Sequence, residues 1–284
     1  MGANASSLSS SMADEGEGPG LDDIPENCVA VVLSFLEAPE VCRFAGLSRA
    51  FRAASLADLV WAPKLPDSYG FLMETLGLAH EMNKMAKRDI FAALCRRNCF
   101  DAGTKEIWVD KRTSGVYLSI SWKGLRITGI DDRRYWNFIP IEDSRFQTVA
   151  YLQQTWWFEV EGEIEFEFPA GKYSVFIRLH LGRPYKRLGR RVCHHEHVHG
   201  WDVKPVKFQL TTSDGQRDAS QCCLDSPGTW VNYRVGSFAV VNPGSLMKIK
   251  FSVTQIDCTH TKGGVCVDSV LIRPGGVEKE AELL

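Results

Sequence analysis

A run of histidines between positions 193 and 201, CHHEHVHGW, offers several potential metal ligands. The donors are Cys193, His194, His195, His197 and His199. Imidazole nitrogen and thiolate sulfur are common ligands of Zn²⁺ in proteins. No Cys and His set at zinc-finger spacing accompanies the run, so Cys258 and His260 would have to come from a distant strand. We therefore predict no metal and no other cofactor, and we interpret the run as a structural or pH-sensitive surface loop.

No other arrangement of side chains in the sequence is typical of catalysis. A nucleophile elbow, a phosphate-binding loop and a pair of carboxylates on an identifiable scaffold are all missing from the sequence. The glutamates of FEVEGEIEFEF, residues 158–168, alternate with apolar residues. On an exposed strand face they would serve solubility and edge protection. We therefore expect a protein without enzymatic activity.

The composition is that of an ordinary water-soluble protein with more than one domain. The chain has 284 residues, 44% of them hydrophobic and 24% charged, and a net charge of −2. The charge gives no reason to expect nucleic-acid binding, and no apolar run approaches the length of a transmembrane segment. The nine cysteines without a secretory signal favour reduced thiols in the cytoplasm, the nucleus or both.

The two ends of the chain are predicted to lie outside the folded domains. Residues 1–20 are small, polar and acidic, so we expect them to be disordered, and residues 276–284 form a short solvated tail. The opening MGANAS fits the pattern for N-myristoylation, with Gly2 as the acceptor. A single myristoyl chain would give only weak, reversible membrane association.

Helical periodicity runs from about residue 21 to residue 100. In IPENCVAVVLSFL, apolar residues recur at steps of three and four and form one stripe. The stripe comprises Ile24, Cys28, Val29, Val32, Leu33 and Leu36. Asp23 is a candidate N-cap, Pro25 suits a first turn, and Pro39 predicts a break. Short second and third helices are expected at residues 41–45 and 47–54, followed by more helices up to residue 103.

Beyond Gly103 the apolar period changes to two, which predicts β-strands. The candidates are residues 106–109, 116–121, 125–128, 157–168, 173–181, 203–212, 229–241, 246–256 and 265–273. The glutamate-rich segment is interpreted as a half-buried antiparallel strand pair that turns near Gly162. Short strands separated by Gly and Pro turns favour an antiparallel β-sandwich.

The first helical unit resembles an F-box. The matching segments are Ile24-Pro25, residues 29–36, Pro39-Glu40-Val41, residues 48–51 (SRAF) and Trp61. In that family the unit docks to a Skp-type adaptor, which links it to a cullin and a RING subunit. The resemblance implies adaptor-binding residues at Ile24, Pro25, Val29, Val32, Leu33, Leu36, Glu40 and Val41. A unit this small cannot enclose a full core, so surplus apolar surface is expected to meet a partner.

Residues 104 to about 274 resemble the phloem-lectin domain of plants, the phloem protein 2 or Nictaba type. The landmarks are LRITGIDDRRYW (125–136), WWFEVEGEIE (156–165), KYSVFIRLHLG (172–182) and DSVLIRP (268–274). An F-box fused to this domain is a plant architecture. The resemblance implies a multidomain α+β protein, with a jelly-roll-like sandwich after the helices.

In sugar-binding members of that family, two tryptophans stack on the sugar and two late acidic residues bind its hydroxyls. Trp136 occupies the second tryptophan position, whereas Gly129 stands at the first. The acidic positions fall on Lys248 and Gln255. The resemblance therefore implies ligand-binding candidates among Arg133, Tyr135, Trp136 and Gln255, while most of the sugar-binding residue types are replaced.

We predict a target-recognition subunit of a Skp-cullin-F-box ubiquitin ligase that presents a protein or glycoprotein. The alternative is a carbohydrate-binding lectin or scaffold without a ligase role. The predicted divisions are an F-box at 21–66, a helical linker at 67–103 and a β-sandwich at 104–275.

Overall fold

The computed structural model describes residues 24–187, 190–194 and 197–275. Its contacts form two compact units, which divide between Trp61 and Ala62. The predictions for Gly2, Asp23, His195 and both tails lie outside the described residues. No helix in the described part of the chain combines the length and the apolar character needed to cross a bilayer.

The first unit contains four short helices rather than the three predicted. They are α1 Glu26–Ser34, α2 Ala38–Phe44, α3 Arg49–Ala54 and α4 Asp58–Trp61. The predicted break is confirmed, because α1 ends before Pro39, which lies in the first turn of α2. Ser48 caps α3 by accepting a hydrogen bond from the backbone N–H of Phe51. The indole N–H of Trp61 donates to the carbonyl of Ser55 at 2.7 Å and ties α4 to the end of α3.

The second unit begins with further helices. A 3₁₀ turn, Ala62–Lys64, precedes α5 Tyr69–Thr75, α6 Ala79–Met82 and α7 Lys87–Leu94, and a second 3₁₀ turn spans Trp122–Gly124. Phe71 packs edge-on against Phe166, which belongs to the β-structure of the same unit. The residues predicted as a linker therefore contact the sandwich directly. The functional boundaries at residues 66 and 103 stay a prediction.

Fifteen strands follow within the described residues, each with an antiparallel partner. They are β1 Asn98–Phe100, β2 Lys105–Val109, β3 Val116–Ser121, β4 Arg126–Ile127, β5 Trp136–Pro140, β6 Thr148–Leu152, β7 Phe158–Phe166, β8 Gly171–Leu181, β9 Arg183–Arg187, β10 Arg190–His194, β11 Val206–Thr212, β12 Arg217–Cys222, β13 Trp230–Val240, β14 Met247–Gln255 and β15 Val265–Pro274. All nine predicted strands are present, with small shifts at their ends.

The strands form two main sheets that pack as a sandwich. The eight-stranded sheet has the order β1-β2-β3-β15-β6-β5, and β15 also pairs with β8, which pairs with β13. The five-stranded sheet has the order β12-β11-β14-β7-β4, while β9 and β10 form a separate hairpin. Along long strands of both sheets, such as β8 and β11, every second residue is buried between the sheets. The expected antiparallel sandwich is therefore present.

The glutamate-rich segment is one continuous strand, and the predicted turn at Gly162 is wrong. Phe158, Val160, Ile164 and Phe166 are buried, while the intervening glutamates face solvent, as the alternation predicted. Gly162 pairs with Phe251 on β14, and the Phe251 ring lies where a Cβ atom of residue 162 would be. The glycine therefore makes room for an aromatic ring, a role that the sequence alone does not distinguish from a turn.

Replacing Gly162 with alanine tests this packing. Because the added methyl would collide with the Phe251 ring, we expect Gly162→Ala to lower the free energy of unfolding by about 1–3 kcal/mol. Gly70 in α5 is the matched control, since no atom lies within 4 Å of its Cβ position. Gly70→Ala should leave stability unchanged or raise it by about 0.4–1 kcal/mol. Urea unfolding of both variants measures the difference, and equal stabilities would contradict the packing role.

Candidate functional site

Helix α1 is apolar on two opposite sides. Val29, Ala30 and Leu33 are buried and face the other helices of the first unit. The opposite side carries Val31, Val32 and Phe35, whose exposed fractions are 47%, 60% and 85%. At 100° per residue these three fall on one stripe, centred away from the buried one. A short helix with two apolar sides can bury only one of them within so small a unit.

Other parts of the first unit add to its exposed apolar surface. Leu47, Leu56 and Leu59 are each at least half exposed, and Ile24 and Phe44 are partly exposed. Phe44 stacks on Phe51, with ring centroids 6.1 Å apart. Large exposed apolar side chains at this density mark partner sites more often than they mark the surface of a monomer.

The structure divides the eight predicted adaptor-binding residues between surface and interior. Ile24, Pro25 and Val32 are exposed, and Leu36 and Glu40 are half-buried. The other three, Val29, Leu33 and Val41, are buried, which corrects their implied role as adaptor-binding residues. Their side chains build the core of the first unit instead.

Two features of this surface are not evident from the sequence pattern. Val31 and Phe35 were not predicted as adaptor-binding residues, because helical periodicity groups apolar residues without saying which of two stripes faces inward. Glu40 also has a local role, since its carboxylate accepts the backbone N–H of Glu37 at 3.2 Å in a capping box.

The predicted ligand residues near Trp136 do not form an open aromatic site. Trp136 is only 2% exposed, and its indole N–H donates to the carbonyl of Thr128 at 3.2 Å. Tyr135 is partly exposed, with the Arg134 guanidinium 5.5 Å from its ring centroid. Arg133 lies 4.0 Å over the ring of Phe138. A buried Trp136 cannot stack on a sugar, so its predicted stacking role is corrected to a packing role.

Gln255 is also buried and serves the loop beside it. Its side-chain amide donates to the carbonyls of Lys204 and Gly200, at 2.5 Å and 3.3 Å. Lys248, at the other late position, forms an ion pair with Glu163 at 3.2 Å. The side chain of Gln255 is therefore committed to holding residues 200–204 rather than open to a ligand.

A buried lysine positions a pair of exposed tryptophans near this loop. Lys262 has no solvent exposure, and its ammonium group donates to the carbonyls of Trp156 and Gln255, both at 2.9 Å. Burial lowers the pKa of Lys262, and the nearby carboxylate of Asp257 opposes that shift. Trp156 and Trp157 project from this turn into solvent. Lys262 carries no local signal in the sequence, because its partner Trp156 is distant along the chain.

The described part of the histidine run serves backbone interactions. A ring nitrogen of His199 lies 2.9 Å from the carbonyl of His197, and His260 contacts the carbonyl of Gly200 at 2.8 Å. The thiol of Cys193 lies 3.7 Å from the carbonyl of Leu181. Among the residues that the structure describes, no three His, Cys, Asp or Glu side chains converge as metal ligands would.

The outer face of the eight-stranded sheet carries a buried ion pair. Asp268, at a bulge in β15, has no solvent exposure and accepts from Arg178 at 2.7 Å and from Ser144 at 2.6 Å. Arg178 also donates to the carbonyl of Asp143 at 2.9 Å. The pair thus holds the loop of residues 141–147 against the sheet. A buried carboxylate is tolerated when it is paired and hydrogen-bonded in this way.

Asp268→Asn tests how much this ion pair contributes to the free energy of unfolding. The change keeps the shape of the side chain but leaves the guanidinium of Arg178 buried without its counter-charge. We expect the free energy of unfolding of the second unit to fall by about 3–5 kcal/mol, measured by urea denaturation. Glu163→Gln, which removes an exposed pair, is the control and should leave stability unchanged. Equal effects of the two substitutions would show that the buried pair contributes little.

These features define a modular protein that joins a small helical unit with an exposed apolar face to an antiparallel β-sandwich. Residues 116–274 match the sequence model of the phloem protein 2 family. The chain is 56% identical to F-box protein PP2-A13 of Arabidopsis thaliana, over 92% of this chain and 90% of that protein. It is 50% identical to F-box protein PP2-A15 of the same plant, over 99% of this chain and 97% of the relative. The chain therefore belongs to the phloem protein 2 family, among its plant F-box proteins, and the predicted resemblance is confirmed.

Proposed function

We propose that this protein is the target-recognition subunit of a Skp-cullin-F-box ubiquitin ligase. The observation that carries the proposal is the open apolar stripe of α1, with Phe35 exposed at its C-terminal end. The F-box name of its relatives and the order of the F-box segments in the sequence support the same partner, a Skp-type adaptor. Burying this stripe against the adaptor would remove its apolar side chains from water.

In this proposal the chain performs no bond chemistry itself. The first unit binds the adaptor and, through it, the cullin and RING subunits. The second unit binds the target. Holding both at once raises the effective concentration of the target near the ubiquitin-transfer site. The protein would act where these ligases assemble, in the cytoplasm or the nucleus.

The geometry favours a protein target over a free sugar. A lectin role at the positions inferred from the family would require Trp136 and Gln255 to be accessible, and both are buried. Lys248 provides a cation where sugar-binding members have a carboxylate, and that cation pairs with Glu163. The lectin alternative therefore has no support at these positions.

Substituting Phe35 tests adaptor binding without disturbing the core. Because Phe35 is highly exposed, Phe35→Asp should leave the fold intact while placing a charge in the apolar interface. We expect the affinity for a purified Skp-type adaptor to fall by about tenfold to a hundredfold, measured by calorimetry on the full chain. Leu33 is unsuitable for this test, because it is fully buried and its replacement would unfold the first unit.

Val241→Asp provides the matched control. Val241 is also highly exposed, but it lies in the second unit, directly after β13. This variant should bind the adaptor as tightly as the parent protein. If Phe35→Asp binds as well as Val241→Asp does, the adaptor does not use the α1 stripe and the proposal fails.

A further inference from the structure

Two arginines lie over one tryptophan on the outer face of the eight-stranded sheet. The guanidinium of Arg97 is 4.6 Å from the ring centroid of Trp108, and that of Arg145 is 5.2 Å away. Trp108 also stacks on Tyr117, its cross-strand partner on β3, at 5.3 Å. Aromatic faces hold guanidinium groups by cation–π attraction and leave the N–H edges free to bind other groups.

Arg145 is held in place by the ion pair beneath its loop. Its neighbour Ser144 donates to Asp268, and Arg178 donates to the carbonyl of Asp143. The segment that carries Arg145 is therefore fastened to the sheet on its N-terminal side. A recognition group on a fixed segment loses little conformational entropy when a ligand binds.

Arg145 forms no ion pair within the described residues, although the carboxylates of Glu106 and Asp268 attract it from a greater distance. The carboxylate of Asp268 is matched by Arg178 at 2.7 Å, and Glu106 faces Arg97 at 4.0 Å. Arg145 donates no side-chain hydrogen bond within the described residues, although it is half-buried. Burial is the main cause that lowers the pKa of Arg145, and the positive charges of Arg97 and Arg178 act in the same direction, while the carboxylates of Glu106 and Asp268 oppose the shift.

Two buried polar atoms beside the arginines have no hydrogen-bond partner within the described residues. They are Oε2 of Glu106 and Oγ of Ser119, whose residues face each other across β2 and β3. Both residues are more than nine-tenths buried. Buried polar atoms in native proteins are nearly always hydrogen-bonded, so such a pair indicates a missing partner. A polypeptide offers the matching groups, backbone N–H for the carboxylate and an anionic side chain for Arg145.

We propose that Arg145, together with Arg97, binds one anionic side chain of a polypeptide, a carboxylate or a phosphate, at the Trp108 face of the eight-stranded sheet. The identification of that polypeptide as the target of ubiquitination rests on the proposed function. The anion-binding chemistry of the site does not depend on the proposed function. A guanidinium group binds carboxylate and phosphate oxygens through paired N–H donors whether or not the polypeptide is a ubiquitination target.

Titration of the full chain with short peptides tests the site. The probes are acetyl-Gly-Gly-Glu-Gly-Gly-amide and its phosphoserine equivalent, with the neutral glutamine peptide as the control ligand. Binding is followed by the indole N–H resonance of Trp108, assigned by its loss in Trp108→Phe. We expect saturable shifts with either or both anionic peptides and none with the glutamine peptide. A response to only one of them identifies whether the anion is a carboxylate or a phosphate.

Arginine variants make the test specific. Arg145→Gln should weaken anionic peptide binding by about tenfold or more, and Arg97→Gln by less, since a charge-assisted contact is lost in each case. Arg217→Gln, on the exposed strand β12, is the matched control and should bind like the parent protein. The proposal would be overturned if Arg145→Gln bound the anionic peptides as tightly as the parent protein does. It would also be overturned if the parent protein bound the glutamine peptide as tightly as the anionic peptides.

Adaptor capture by the same proteins separates the two claims. Arg145→Gln should bind a purified Skp-type adaptor like the parent, because the substitution lies in the second unit. Peptide binding without any adaptor capture would uphold the anion site and contradict the proposed ligase role. Adaptor capture without peptide binding would overturn the anion site and leave the ligase role standing.

Discussion

The first unit depends on a helix with more apolar surface than its surroundings can bury. Val29 and Leu33 fill the core among the short helices, and Phe35 and Val32 remain on the opposite side. The neighbouring helices have only six or seven residues and cover one side of α1. The exposed stripe follows from the size of the unit, and a partner that covers it would stabilise the folded state.

In the second unit, irregular segments are held in place on the outside of the β-sandwich. They are held by buried polar groups in addition to apolar packing, since Ile141 of one such loop is also buried among apolar side chains. Asp268 and Arg178 fasten the loop of residues 141–147, while Lys262 fastens the turn that carries Trp156. Each charged group loses its hydration on burial and gains hydrogen bonds from several partners. The two effects largely offset each other in free energy, so the main result is a fixed geometry of the loop.

Local pattern predicted most of the elements but not the long-range contacts. The period-two alternation in residues 158–166 predicted the correct strand and its buried side, because successive side chains of a strand point to opposite faces of the sheet. The same pattern misplaced a turn at Gly162, since a glycine that accommodates Phe251 looks like a glycine that turns the chain. The helical period identified the apolar residues of α1 but could not assign Val29 inward and Phe35 outward.

The groups that organise the candidate sites come from distant parts of the chain, which explains why sequence reasoning missed them. Ser144 and Asp268 are 124 residues apart, and Lys262 and Trp156 are 106 residues apart. The resemblance to a family placed Trp136 and Gln255 at a ligand site, but resemblance carries no information about burial in this chain. Trp108, Arg97 and Arg145 come together only when β2 pairs within the sheet and the loop after β5 folds back.

Photo-crosslinking from position 35 tests most directly whether the exposed stripe of α1 contacts the adaptor. A p-benzoyl-phenylalanine in place of Phe35 preserves the aromatic side chain and reacts only with groups in contact with it, and the same group in place of Val241 serves as the reference. With purified Skp-type adaptor, the proposed contact predicts a crosslink from position 35 and none from position 241. An absent crosslink at position 35, or equal crosslinking from both positions, would contradict it.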